Sequence, residues 1–255
     1  MAADENNENN ESPFTRPGFI VSAVVVALVL VLGAILGTLG IVNATRDEPT
    51  TAPTVTASED DPQQSSKPAE EPEPAAGASI CGLKGEVLEG TVEEPPAAEW
   101  EFQGTIGYPT SSKYGPGKTD ENGVRSCFQH SPEGALFMAA NAMAQSSYPE
   151  TYEPWLRYAL SEGPNREAML SEDAEPSDMA GTRVQITGFR VLDYSGTAAT
   201  IDLLASVTTE GESAEVSAVL HLVWEDGDWR LDSNQAEGVD VGTAPSTGGY
   251  TAWEQ

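Results

Sequence analysis

A stretch of 24 residues without a charge, Phe19 to Val42 (FIVSAVVVALVLVLGAILGTLGIV), limits what the rest of this chain can be. About 20 apolar residues cross a hydrocarbon core of roughly 30 Å as a helix. The run is therefore expected to span a bilayer. It divides the chain unequally, with 18 polar residues before it and 213 after it. The rival reading is a cleaved signal peptide, for which Val42-Asn43-Ala44 offers small residues. Signal peptides carry a basic n-region and an apolar core of about 7–15 residues. Here the stub has four acids against Arg16 alone and the apolar run is longer, so a retained anchor is expected. Gly33 and Gly37 stand at the GxxxG spacing that lets two membrane helices approach closely.

Charge does not orient the span, because Arg16 flanks one end and Arg46 the other. The two cysteines, Cys81 and Cys127, both follow the span, 46 positions apart. Two cysteines in an otherwise cysteine-free region point to a disulfide and an oxidising compartment. Closing such a loop adds about 4 kcal/mol on the chain-entropy account. The alternative is two separate buried thiols. Zinc is not expected, since Cys81, Cys127, His130 and His221 lack finger spacing. The N-terminus is accordingly placed in the cytoplasm and the remainder outside the cell membrane.

Formal net charge is −29, from 41 acidic and 12 basic residues. Binding to phosphate backbones needs lysine and arginine, so direct nucleic-acid binding is disfavoured. Residues 43–79 are rich in proline, threonine and glutamate and lack aromatics. Such a segment buries too little surface to fold and reads as a disordered stalk. From Ile80 onward a core becomes feasible. Residues 80–130 look like an irregular, extended arm pinned by the disulfide, with turn signals at Pro95-Pro96, Tyr108-Pro109 and Gly115-Pro116-Gly117.

Ser131-Pro132-Glu133 gives a cap, a first-turn proline and an early acid, and opens a helix. A second helix is expected over Glu153–Leu160 and a third over Asn165–Ser171. Four alternating segments follow: Arg183–Tyr194, Thr197–Thr208, Ser213–Glu225 and Asp228–Ser233. The Asp226-Gly227 joint is a two-residue hairpin signal. In the first segment the apolar phase switches at Gly188, as a bulge would produce. Residues 234–255 read as a flexible tail onto which Trp253 could dock. The expected class is α+β, with helices packed on a curved four-stranded antiparallel sheet over 131–233.

This order of elements, with the closing GDWRLD, resembles the nuclear transport factor 2-like (cystatin-like) superfamily. Some of its members are isomerases, dehydratases or epoxide hydrolases, which hold acids and bases inside the cone. Here the inner faces of the second and third segments are apolar, and Asp202 and His221 fall on the other face. Tyr158, His130 and Asp178 remain as candidates outside the strands. Each has a bland alternative: a core or rim aromatic, a local hydrogen bond, and a solvated acid. No catalytic residue and no cofactor is expected.

The segment GVRSCFQHSPEGALFMAANAMA resembles an uncharacterised family of actinobacterial single-pass membrane proteins. Those resemble, in layout, the bitopic assembly components of type IV secretion and conjugation machines. The resemblance implies a non-catalytic subunit of an envelope-spanning transfer apparatus that contacts other subunits and, through Gly33 and Gly37, itself. Alternatives are an accessory protein of a lipid-import complex, an extracellular small-ligand binder and an isomerase- or dehydratase-like enzyme.

Overall fold

The structure, a computed structural model, describes residues 79–171, 181–235, 238–244 and 246–254. The stub, Phe19–Val42 with Gly33 and Gly37, the stalk up to residue 78, and Asp178 lie outside the described residues. Among the described residues, no helix is long and apolar enough to cross a membrane.

Chain order begins with β1 (Glu99–Gln103), β2 (Ile106–Thr110), β3 (Lys118–Thr119) and β4 (Arg125–Ser126). Three helices follow: α1 (Pro132–Gln145), α2 (Pro149–Ala159) and α3 (Arg166–Ser171). Then come β5 (Thr182–Tyr194), β6 (Ala198–Thr209), β7 (Glu212–Glu225), β8 (Asp228–Leu231), β9 (Val239–Thr243) and β10 (Thr251–Ala252). Eight strands form one sheet in the order β1-β2-β5-β6-β7-β8, with β10 against β5 and β9 against β7; β3 and β4 pair separately.

The expected helices on a four-stranded antiparallel sheet are overturned. The sheet has eight strands and is mixed, since β2 meets β5 in parallel with Ile106 opposite Val184. Two extra strands come from the segment expected to be an irregular arm. Pro109 hid them: a proline in a short run argues against a strand. Here it sits in β2 opposite Trp100, and its carbonyl accepts from Asn141 Nδ2 at 2.9 Å. The other two come from the tail. Strands of five and two residues carry almost no periodic signal; pairing with β7 and β5 creates them.

The β5–β6–β7–β8 meander supplies the inner face. Val184, Ile186, Phe189, Ile201, Leu203, Val216, Ala218, Leu220 and Leu222 are all buried against the helices. Register shifts between Ile186 and Gly188, where the apolar phase changes, and again between Val191 and Asp193. Gly188 leaves room for β10: a Cβ there would stand 3.0 Å from the Thr251 carbonyl oxygen. The intervening Thr187 carbonyl accepts from the Trp253 backbone N–H at 3.1 Å.

α1 is buried on nearly every side because the β1–β2 hairpin and the main sheet both pack on it. Ser131 caps it, its Oγ accepting from Gly134 N at 3.0 Å. Gly134 is the residue the site requires, since a Cβ would lie 1.9 Å from the Gln129 carbonyl oxygen. The tail closes the core. Trp253 is 3% exposed and its ring stands 5.1 Å from Trp100, 5.3 Å from Phe137 and 5.6 Å from Phe189. Its Nε1 donates to the Pro96 carbonyl at 3.1 Å.

Truncating a buried tryptophan costs about 3–5 kcal/mol. Trp253→Ala is therefore expected to lower the urea midpoint strongly and to release β10, read as fast hydrogen exchange at Phe189.

Candidate functional site

The most unusual group in the fold is a buried carboxylate. Asp226 and Gly227 both take positive φ, 52° and 76°, and turn the chain between β7 and β8. Asp228 follows at once and is 0% exposed. Its Oδ2 accepts from Cys127 N at 2.6 Å and from the Tyr158 hydroxyl at 2.5 Å. Its Oδ1 accepts from Phe128 N at 2.8 Å and Trp229 N at 3.0 Å. Cys127 has φ 69°, which aims successive N–H groups at one point.

Burial pushes the Asp228 pKa up; the Tyr158 hydroxyl and the Phe128 and Cys127 N–H groups pull the other way. Burial raises the Tyr158 phenol too, reinforced by the neighbouring Asp228 charge. The Arg230 guanidinium lies over the Tyr158 ring at 3.7 Å and donates to the Tyr158 carbonyl.

The disulfide Cys81–Cys127 joins this point to the incoming chain. Residues 79–88 form a strap across it. Ile80 N donates to the Gly227 carbonyl at 2.9 Å and Val87 N to the His130 carbonyl at 2.8 Å. Gln129 Nε2 donates to the Lys84 carbonyl, and the Tyr194 hydroxyl to the Val87 carbonyl at 2.5 Å. His130 stacks on Trp224, with ring centres 3.9 Å apart and an interplanar angle of 2°. Its Nδ1 lies 2.8 Å from Glu86 and its Nε2 2.5 Å from the Gly196 carbonyl.

Other buried polar groups join segments in the same way. Arg125 Nε donates to Asn141 at 2.7 Å and its Nη2 to Gln103 at 2.8 Å, tying the first hairpin to α1. Asp202, on the outer sheet face, accepts from Ser217 at 2.7 Å, from the Tyr250 hydroxyl at 2.9 Å and from Arg190, fastening the tail to β6. His221 lies on that outer face too, 3.5 Å from Asp240.

Of the candidates from sequence, Tyr158, His130 and Cys127 converge around Asp228 and Trp229, while His221 and Asp202 lie apart on the outer face. Asp228 itself is absent from those candidates. The signal was present: Asp226-Gly227 already makes the turn, which leaves the next acid without a turn role.

A general base needs a free lone pair within reach of a substrate proton. Asp228 directs its lone pairs at four donors belonging to the fold. Between helices and sheet there is a small cleft of about 40 Å³, against the roughly 300–1,000 Å³ of small-molecule sites. Met143, Trp155, Leu160, Leu220, Leu231 and Val239 line it. Its one hydroxyl, Ser146 Oγ, donates to the Met143 carbonyl at 3.3 Å. Among the described residues no group of three or more His, Cys, Asp or Glu is placed to hold a metal ion.

The fold is thus built mostly of strands, a mixed eight-stranded sheet with few helices. Residues 60–252 match a family model described as a domain of unknown function, DUF8175, and the chain belongs to that family. No curated protein and no solved structure matches it. The family description carries no activity. Neither it nor the structure supports the expected role in conjugation or type IV secretion.

Each donor left without its acceptor in a buried site costs about 1–3 kcal/mol. Asp228→Asn turns an NH₂ group toward donors and is expected to destabilise by at least that much in urea unfolding. Tyr158 makes a pH prediction. A folded-state phenol raised above its unfolded value of 10.0 gives stability that is full below pH 10 and falls as pH rises beyond it. Urea midpoints measured from pH 8 to 11 are expected to drop above pH 10, and Tyr158→Phe to lessen that drop without removing it, since burial raises the Tyr194 and Tyr108 phenols too.

Proposed function

We propose that this protein is a non-catalytic subunit of a cell-envelope assembly, whose folded region lies outside the membrane and works through contacts with other proteins. One observation carries the reading. The buried polar groups Asp228, Asp202, His130 and Arg125 are each engaged in joining one segment of the chain to another. None is left aimed at a space that a substrate would fill, and the apolar cleft supplies no acid or base.

The Cys81–Cys127 disulfide supports an oxidising compartment. The net charge of −29 favours basic protein partners over phosphate backbones.

Crosslinking on intact cells, followed by purification from membranes, is expected to recover defined envelope proteins joined to residues 79–254. Turnover of an epoxide or ketone that Tyr158→Phe abolishes would overturn the reading, as would a small molecule released from the purified protein in native mass spectrometry. For placement, a membrane-impermeant maleimide is expected to label Cys81 and Cys127 on intact cells only after reductant. Labelling confined to lysed cells would put the domain inside.

A further inference from the structure

We propose that β1 receives an extended, basic segment of a partner protein as an added strand, an inference that rests on the protein-binding reading above. β1 is the outermost strand of the sheet. It pairs with β2 over Glu99–Gln103 without a break in register. Among the described residues, no further backbone group pairs with its other edge.

The hairpin geometry says which groups are offered. Gln103 faces Ile106 across only Gly104 and Thr105, a two-residue loop with Gly104 at φ 57°. In such a hairpin the pair flanking the loop exchanges both hydrogen bonds. The N–H and C=O groups of Gln103, Glu101 and Glu99 therefore face β2. Those of Trp100 and Phe102 face outward. This edge has neither of two common protections, an internal proline or a bulge.

The side chains select what can pair there. Phe102 is 56% exposed, the highest value among the exposed large apolar side chains of the described residues. Trp100 shares its face. Glu99 and Glu101 occupy the other face and are exposed, with Glu93 and Glu94 just upstream. A charged edge repels unsuitable strands. A second copy pairing antiparallel about Glu101 would set Glu101 against Glu101, and like charges directly opposite destabilise. Lysine or arginine at alternate positions, with apolar residues between, removes that repulsion and covers Phe102. Strand addition supplies affinity through the main chain and specificity through alternate side chains. A surface groove of about 400 Å³, bordered by Ala97, Glu99, Thr110, Ser111, Ser112 and Pro116, extends the surface beyond the open end of the hairpin.

The test uses hydrogen exchange by NMR on the folded protein, with an end-capped alternating Lys–Val hexapeptide as probe. In the free protein, the amides of Trp100 and Phe102 are expected to exchange fast while Glu101 and Gln103 are protected. Saturating peptide is expected to slow Trp100 and Phe102 at least tenfold and to leave Glu101 unchanged. Two N-methylated versions keep every charge and side chain. Methylating the residues that face β1 is expected to abolish the protection, and methylating the other alternate set to preserve it. Phe102→Ser keeps the charge and is expected to weaken binding about tenfold.

Equal binding by both methylated peptides would reduce the contact to bulk charge and overturn the proposal. So would slow exchange already present at Trp100 and Phe102 in the free protein, or self-association through this edge. Envelope proteins crosslinked elsewhere on the domain would leave the protein-binding reading standing when the edge fails, so the two failures are separable.

Discussion

Burying the Asp228 carboxylate is the constraint around which the rest of the structure is arranged. An ionised carboxyl taken out of water without partners is costly enough to neutralise or unfold its host. Here four donors surround it, and they come from separate places in the chain. Cys127 and Phe128 belong to the segment before α1, Tyr158 to α2, and Trp229 to β8. Satisfying one side chain therefore fixes the loop, the second helix and the fourth strand of the meander relative to one another. Trp229 completes the joint by donating its Nε1 to the Gln129 carbonyl at 3.0 Å. The left-handed Cys127 is part of the same solution, since it lets two consecutive N–H groups point at one carboxylate.

How far the sequence showed this depends on what kind of signal each element carries. β5, β6 and β7 are long and alternating, and β8 is marked by the Asp226-Gly227 turn before it, so their positions were legible, as was the bulge at Gly188. The Ser131 cap and Pro132 marked α1 for the same local reason. β1, β2, β9 and β10 were not legible as strands. They are short, one contains Pro109, and two hold only a couple of apolar residues. Their identity comes from pairing with distant strands, a tertiary effect that no window of local sequence contains. A four-stranded expectation becomes an eight-stranded sheet for that reason alone.

The polar joints illustrate the same division. His130 and Tyr158 were visible as residues that could hold hydrogen bonds, but their partners lie 66 and 70 positions away. Spacing within the sequence cannot reveal such pairs. Asp228 was legible only by elimination: Asp226-Gly227 makes the turn and leaves the next acid without a turn role, but nothing in the local sequence names its donors. Trp253 was visible as a residue that could dock, but its slot was not. Its burial follows from a hydrophobic slot made by Trp100, Phe137 and Phe189, three elements that meet only in the folded chain.

The position of the disulfide joins these arguments. The preceding 78 residues reach the described region at Ser79, and Cys81 follows two residues later. Any pull transmitted along that chain meets the Cys81–Cys127 bond before it meets the hydrogen bonds of Lys84, Glu86 and Val87. From Cys127 it passes to Asp228 and hence to β8, near the middle of the polar joint. The strap's own contacts are thereby shielded from a load they could not hold singly, since a net hydrogen bond is worth only about 0.5–1.5 kcal/mol.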